Sequence, residues 1–126
     1  MIKYIELKTG YFDNGPAWIA RVVISRSGQT IYFSDKALRR SGGQLISGNY
    51  FDISSGDEYW VSGVKKRGGD RHGAGSGSIR IEASAVAEYS KETGVTVLPR
   101  GIVVVDDLAT PDPSRFIGIE NATIPR

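Results

Sequence analysis

The chain has 126 residues, 40% hydrophobic and 24% charged, and this is enough for one domain with one core. It has no cysteine, which excludes disulfides, zinc–thiolate centres, iron–sulfur clusters and cysteine nucleophiles. Its net charge is only +2, with 12 basic against 7 acidic residues over 1–80 and 4 against 7 over 81–126, so any basic face must come from the first part. The opening MIKYIELKTG carries Lys3, Glu6 and Lys8 and leads into no apolar stretch. It does not read as a signal peptide, and the expected location is cytoplasmic. Apolar runs such as Ile102–Val105 are far shorter than a bilayer requires, so no membrane partner is expected.

Lys3–Leu7 alternates like a strand, and Asp13-Asn14-Gly15-Pro16 is a turn cluster that ends it. Trp18–Ser25 is apolar on both faces except at Arg21, which reads as an interior strand. The polar reversal Ser25–Gln29 joins it to Thr30–Phe33 as a hairpin. Ser34 before Asp35, with Arg39 and Arg40 late and Gly42-Gly43 as a stop, predicts a short helix near 35–40. Leu45–Ile53 and Glu58–Val64 form the next hairpin, turned by Ser54-Ser55-Gly56-Asp57, with aromatics on both faces. Lys65–Gly77 is a glycine-rich connection into a short strand, Ser78–Glu82.

Ser84–Thr93 is the stronger helix, with Ser84 as cap, Val86 and Tyr89 on one side and Gly94 as stop. Val95–Leu98 and Ile102–Val105 flank Pro99-Arg100-Gly101 and read as a strand pair. After Leu108 three prolines in 18 residues mark an extended tail with one apolar cluster, Phe116–Ile119. The expected architecture is mainly β (α+β). It is a small antiparallel sheet or open barrel over 1–108, with one helix near 84–93 and a short one near 35–40. Residues 109–126 form a C-terminal tail.

The segment 47–77 holds the densest basic run, four aromatics, the only histidine and 8 of the 16 glycines. Lys65, Lys66, Arg67 and Arg71, with Tyr50, Phe51, Tyr59 and Trp60 behind them, have the makings of a surface for single-stranded nucleic acid or a protein. Lysines also commonly protect a sheet edge. Asp70 and His72, two apart, offer a carboxylate beside an imidazole, but no nucleophile is placed for them to activate. Ser76 misses the G-x-S-x-G spacing by one residue. Gly73, Gly75 and Gly77 fit neither G-x-G-x-x-G nor a P-loop, and they lead into a strand rather than a helix. Asp106-Asp107 and Asp57-Glu58 read as solvated turns. No metal site and no cofactor is expected.

Over about residues 5–80 the chain resembles a family of small bacterial proteins, most specifically in YWVSGVKK-x-G-x-DRH at 59–72. Similar proteins often carry an aromatic after DRH, where this chain has Gly73. Some members bear the catalogue name 1-deoxy-D-xylulose-5-phosphate synthase. A genuine synthase of that kind is a much longer multidomain thiamine-diphosphate enzyme, so the resemblance implies a recurrent β-rich module and no reaction. The expected function is a non-enzymatic binding module that contacts a protein or nucleic acid through the 50–72 hairpin and loop. Its binding residues are Tyr59, Trp60, Lys65, Lys66, Arg67, Arg71 and His72. The alternatives are a small enzyme using Asp70 and His72, and a structural or interaction subunit whose tail adds to a partner's sheet.

Overall fold

The computed structural model describes residues 1–11, 13–66, 70–71 and 77–118. Eight strands form one sheet: β1 (Ile2–Leu7), β2 (Ala17–Ile24), β3 (Thr30–Phe33), β4 (Lys36–Arg40), β5 (Tyr50–Asp52), β6 (Glu58–Ser62), β7 (Ile79–Glu82) and β8 (Ile102–Val105). The order is β1-β6-β5-β4-β3-β2-β7-β8, and β1 also pairs with β2. The first six strands therefore run as an antiparallel meander that closes on itself. The small antiparallel sheet or open barrel expected from the sequence is thus a closed barrel of six strands.

Alternation sorts the side chains. Ile5, Ala20, Val22, Ile31, Phe33, Leu38, Tyr50, Tyr59 and Val61 fill the barrel. Residues of the opposite parity on β1 and β2, including Ile2, Tyr4, Ala17 and Ile19, point outward. They pack under Ile79 and Ile81 of β7 and Ala85 and Tyr89 beyond it. A smaller outer cluster joins Tyr32 and Ala37 to Phe116.

The short helix predicted near 35–40 is instead strand β4, paired antiparallel with β3 from Phe33↔Lys36 to Thr30↔Arg39. Six residues are too few to sustain a helix on their own. As a strand they send Leu38 into the barrel and Ala37 against Phe116. Ser34, read as a helix cap, sits at φ 53° in the two-residue reversal between the strands. Positive φ at the first central residue is the mark of a II′ hairpin turn.

The helix near 84–93 is present, as a 3-10 turn Ala83–Ala85 running into α1 (Val86–Thr93). Gly94 at φ 76° ends it, as expected. Its start is held from another strand end, where the Asp107 carboxylate accepts the Ser84 N–H at 2.8 Å. Asp107 is therefore a cap across the fold, and this interaction holds its carboxyl below the usual carboxylate range. Residues 95–98 form no strand. β8 pairs in parallel with β7, from Ile79↔Ile102 to Glu82↔Val105. Extended strand over 45–53 shrinks to Tyr50–Asp52.

β2 is the fork of the sheet. Its first half pairs with β1 and β7, and its last three residues pair with β3. The Arg21 N–H lies between the β7 and β3 ladders, and the Glu82 carboxylate accepts it at 2.7 Å. Glu82 also accepts the Arg21 guanidinium at 2.9 Å and the Leu108 N–H at 2.8 Å, and it is 2% exposed. Arg21 in turn donates to the Leu108 carbonyl. From there the chain reaches the 3-10 turn Pro113–Phe116, whose Phe116 ring lies 6.0 Å from that of Tyr32. The apolar cluster of the tail thus docks on its own barrel through Phe116, while Ile119 lies outside the described residues.

Left-handed backbone costs a residue with a Cβ about 1–2 kcal/mol. Ser34→Gly is expected to stabilise the fold by about 1 kcal/mol. Urea denaturation of the two proteins checks this.

Candidate functional site

Of the residues singled out as a binding surface, Tyr59 lies inside the barrel, 3% exposed, and burial pushes its hydroxyl pKa up. Trp60 is on the outer wall, half-buried against the cluster beneath β7 and α1. Lys65 and Lys66 are exposed. Arg67 and His72 lie outside the described residues, as does any pairing of His72 with Asp70.

Asp70 and Arg71 turn inward. The Asp70 carboxylate is 5% exposed and accepts the Lys65 N–H at 2.6 Å. Burial raises its pKa, against the smaller opposing effect of that hydrogen bond.

The Arg71 guanidinium donates to four backbone carbonyls: Gly15 at 2.7 Å, Ser78 at 2.9 Å, Gly77 at 3.1 Å and Asp13 at 3.3 Å. It also stands 3.6 Å from the Glu6 carboxylate. One of these positions needs glycine: a Cβ on Gly15 would meet the Leu7 carbonyl at 2.1 Å. A Cβ on Gly77 would meet the tip of the guanidinium at 2.6 Å, and the arginine would have to shift. The last glycine of G-x-G-x-G thus gives its carbonyl to an arginine.

Beneath Arg71 lies a cluster that the sequence did not announce. Tyr4, Glu6 and Lys8 share the outward face of β1 and its extension. Glu6 is 0% exposed and accepts from the Tyr4 hydroxyl and, at 3.0 Å, from the Lys8 ammonium. Lys8 is 2% exposed and also donates to Asp13 at 2.5 Å. Burial, then the bond to Glu6, pushes the Tyr4 hydroxyl pKa far up. The available signal was the period of two: an acid and a base alternating on a strand whose other face is core. These groups satisfy one another, and their chemistry is that of a clasp between β1, the turn at 13–16, Arg71 and residues 77–78.

Beside the clasp is a notch of about 240 Å³, lined by Lys8, Thr9, Gly10, Tyr11, Ile46, Ser47 and Glu58. Tyr11 and Ile46 are 50% and 96% exposed. The wall carrying Ile46 is folded around Glu58, whose carboxylate accepts the N–H groups of Ser47 at 2.8 Å, Gly48 at 2.9 Å and Ile46 at 3.1 Å. These bonds hold its pKa below the usual range. Glu58 was expected in a solvated turn. Instead it anchors a loop, and its own N–H donates to the Thr9 hydroxyl at 2.7 Å. Gly48 is required there, because a Cβ would meet the Tyr59 carbonyl at 2.6 Å.

The fold and this surface define a closed antiparallel barrel of six strands with an apolar notch at one rim. Compared with known proteins, the chain matches no family model, no curated protein and no solved structure.

Removing one partner of a buried ion pair leaves an uncompensated charge and costs about 3–5 kcal/mol. Lys8→Met is expected to destabilise by about that amount. Adding Glu6→Gln should recover part of the loss, measured as a double-mutant cycle in urea. Asp70 carries a second prediction. A carboxyl whose pKa is raised in the folded state loses stability as pH climbs through that pKa. Asp70→Asn keeps the acceptor for Lys65 without the charge. Its melting temperature relative to the parent is therefore expected to rise between pH 4 and pH 7, read by calorimetry.

Proposed function

We infer that this protein is a binding module with no reaction of its own, and that its partner is a protein. The partner presents one bulky apolar side chain to the notch between Tyr11 and Ile46. The observation that carries this is the almost complete exposure of Ile46, 96%, on a loop pinned by three hydrogen bonds to Glu58. An apolar side chain held out on a rigid wall is the arrangement found at interface anchors. The notch of about 240 Å³ lies below the usual range for small-molecule pockets, roughly 300–1,000 Å³, and matches a single large side chain.

The surface lies beside the 50–58 hairpin, with its centre shifted away from the basic loop. Arg71 is committed to backbone carbonyls and Tyr59 to the barrel, so among the described residues of that loop Lys65 and Lys66 are the cations left facing solvent. Two lysines give a small counterion-release contribution to nucleic-acid affinity. The buried carboxylates Glu6, Glu82 and Asp70 all accept hydrogen bonds that hold the fold, which favours binding over acid–base chemistry.

Selection from a random peptide display library tests the proposal. Selected peptides are expected to share one aromatic or large aliphatic residue. Ile46→Asp should weaken their binding at least tenfold with an unchanged melting temperature. Peptides with no common apolar residue, or equal binding by Ile46→Asp, overturn it. So does salt-sensitive retention on single-stranded DNA that Lys65→Ala/Lys66→Ala abolishes, since that outcome makes the partner a nucleic acid.

A further inference from the structure

We propose that β8 is a dimerisation strand, and that it pairs antiparallel with β8 of a second copy of this chain. β8 is the outermost strand, with β7 on one side. The Ile79 N–H donates to the Gly101 carbonyl at 2.8 Å. A parallel ladder engages alternate residues. Gly101, Val103 and Val105 therefore turn their polar groups to β7, and the N–H and C=O of Val104 point away from the sheet. Val103 and Val104 are 52% and 49% exposed.

Protected edges carry lysine, proline or a bulge. This one carries Ile-Val-Val-Val with no charge between Gly101 and Asp106. Such an edge is covered in a stable protein, and two features name its occupant. The first is the charge at its ends. Arg100 precedes the strand, Asp106 follows it, and both are exposed. An antiparallel pairing centred on Val103 sets Arg100 of each copy opposite Asp106 of the other, whereas a parallel one sets like against like. The segment is thus complementary to itself about a two-fold axis.

The second feature is closure. β1 pairs with both β6 and β2, so among the described residues the barrel offers no second free edge. A two-fold pairing that consumes the one edge stops at two copies, where a sheet with two free edges would continue into a fibre.

Sedimentation of the full chain at high micromolar concentration is expected to give twice the 13.7 kDa mass. Val104→Pro removes the outward N–H without touching the β7 ladder, a position where an edge strand accepts proline. It should be monomeric with an unchanged far-ultraviolet spectrum. Should that variant fail to fold, a charge exchange decides. Arg100→Asp is expected to raise the dimer dissociation constant about tenfold, and Arg100→Asp/Asp106→Arg to restore it. A monomeric parent, a folded Val104→Pro variant that stays dimeric, a double exchange that restores nothing, or assembly beyond two copies overturns the proposal.

Discussion

The whole sheet depends on how β2 serves three neighbours. A strand has two edges, and β2 gives one half of its second edge to β7 and the other to β3. Such a change of partner strands a backbone N–H at the transition, and a buried N–H without an acceptor costs about 1–3 kcal/mol. The carboxylate of Glu82 fills that gap by accepting from Arg21. Because the same carboxylate takes the Leu108 N–H, the repair of the fork also fixes where the chain leaves β8 and begins its course toward Phe116. Barrel, flanking strands and C-terminal segment thus meet on one acid.

A second acid does similar work at the other end of the β1–β2 ladder, where Glu6 stands opposite Ala17. Glu6 gathers Tyr4, Lys8 and Arg71, and Arg71 gathers the turn at 13–16 and the entry to β7. Buried ion pairs roughly break even in stability but are costly to break in part. Their effect here is positional. Arg71 is laid over β1 in one place, and the rim next to it, with Tyr11, is set by the same contacts. The motif YWVSGVKK-x-G-x-DRH then reads as architecture. Tyr59 lies inside the wall, Trp60 outside it, Asp70 accepts from the Lys65 N–H, and Arg71 donates to backbone carbonyls.

The strands were largely legible because short runs rich in β-branched and aromatic residues are bounded by turn residues, as at Trp18–Ser25, Thr30–Phe33 and Glu58–Val64. The stretch 35–40 was not, since Ser, Asp and two late Arg mimic the charge pattern of a helix. What overrides that pattern is the pairing demand of β3, all four of whose residues are buried. The parallel partnership of β7 and β8 was hidden because adjacent apolar runs favour a hairpin, and nothing local says that the intervening residues cross over a sheet. The site was less legible still. Arg71 and Glu58 look like surface charges in sequence, and only the approach of distant backbone makes one a clasp and the other a loop anchor. Ile46 stands in a stretch read as strand, and its exposure follows from a loop wrapped on Glu58.

The order of elements along the chain has a consequence for synthesis. All six barrel strands lie within residues 2–62, so on a ribosome the barrel can close while the remainder is still being made. Until residues 70–89 emerge, however, the outward face of β1 is bare, with Glu6 and Lys8 in water and Ile2, Tyr4, Ala17 and Ile19 uncovered. Domains form from the N-terminus during translation at about 5–20 residues per second. That wall of apolar side chains therefore stands open for seconds on the nascent barrel, which makes the delay before Arg71 and Tyr89 arrive the interval in which the new chain is most exposed to wrong partners.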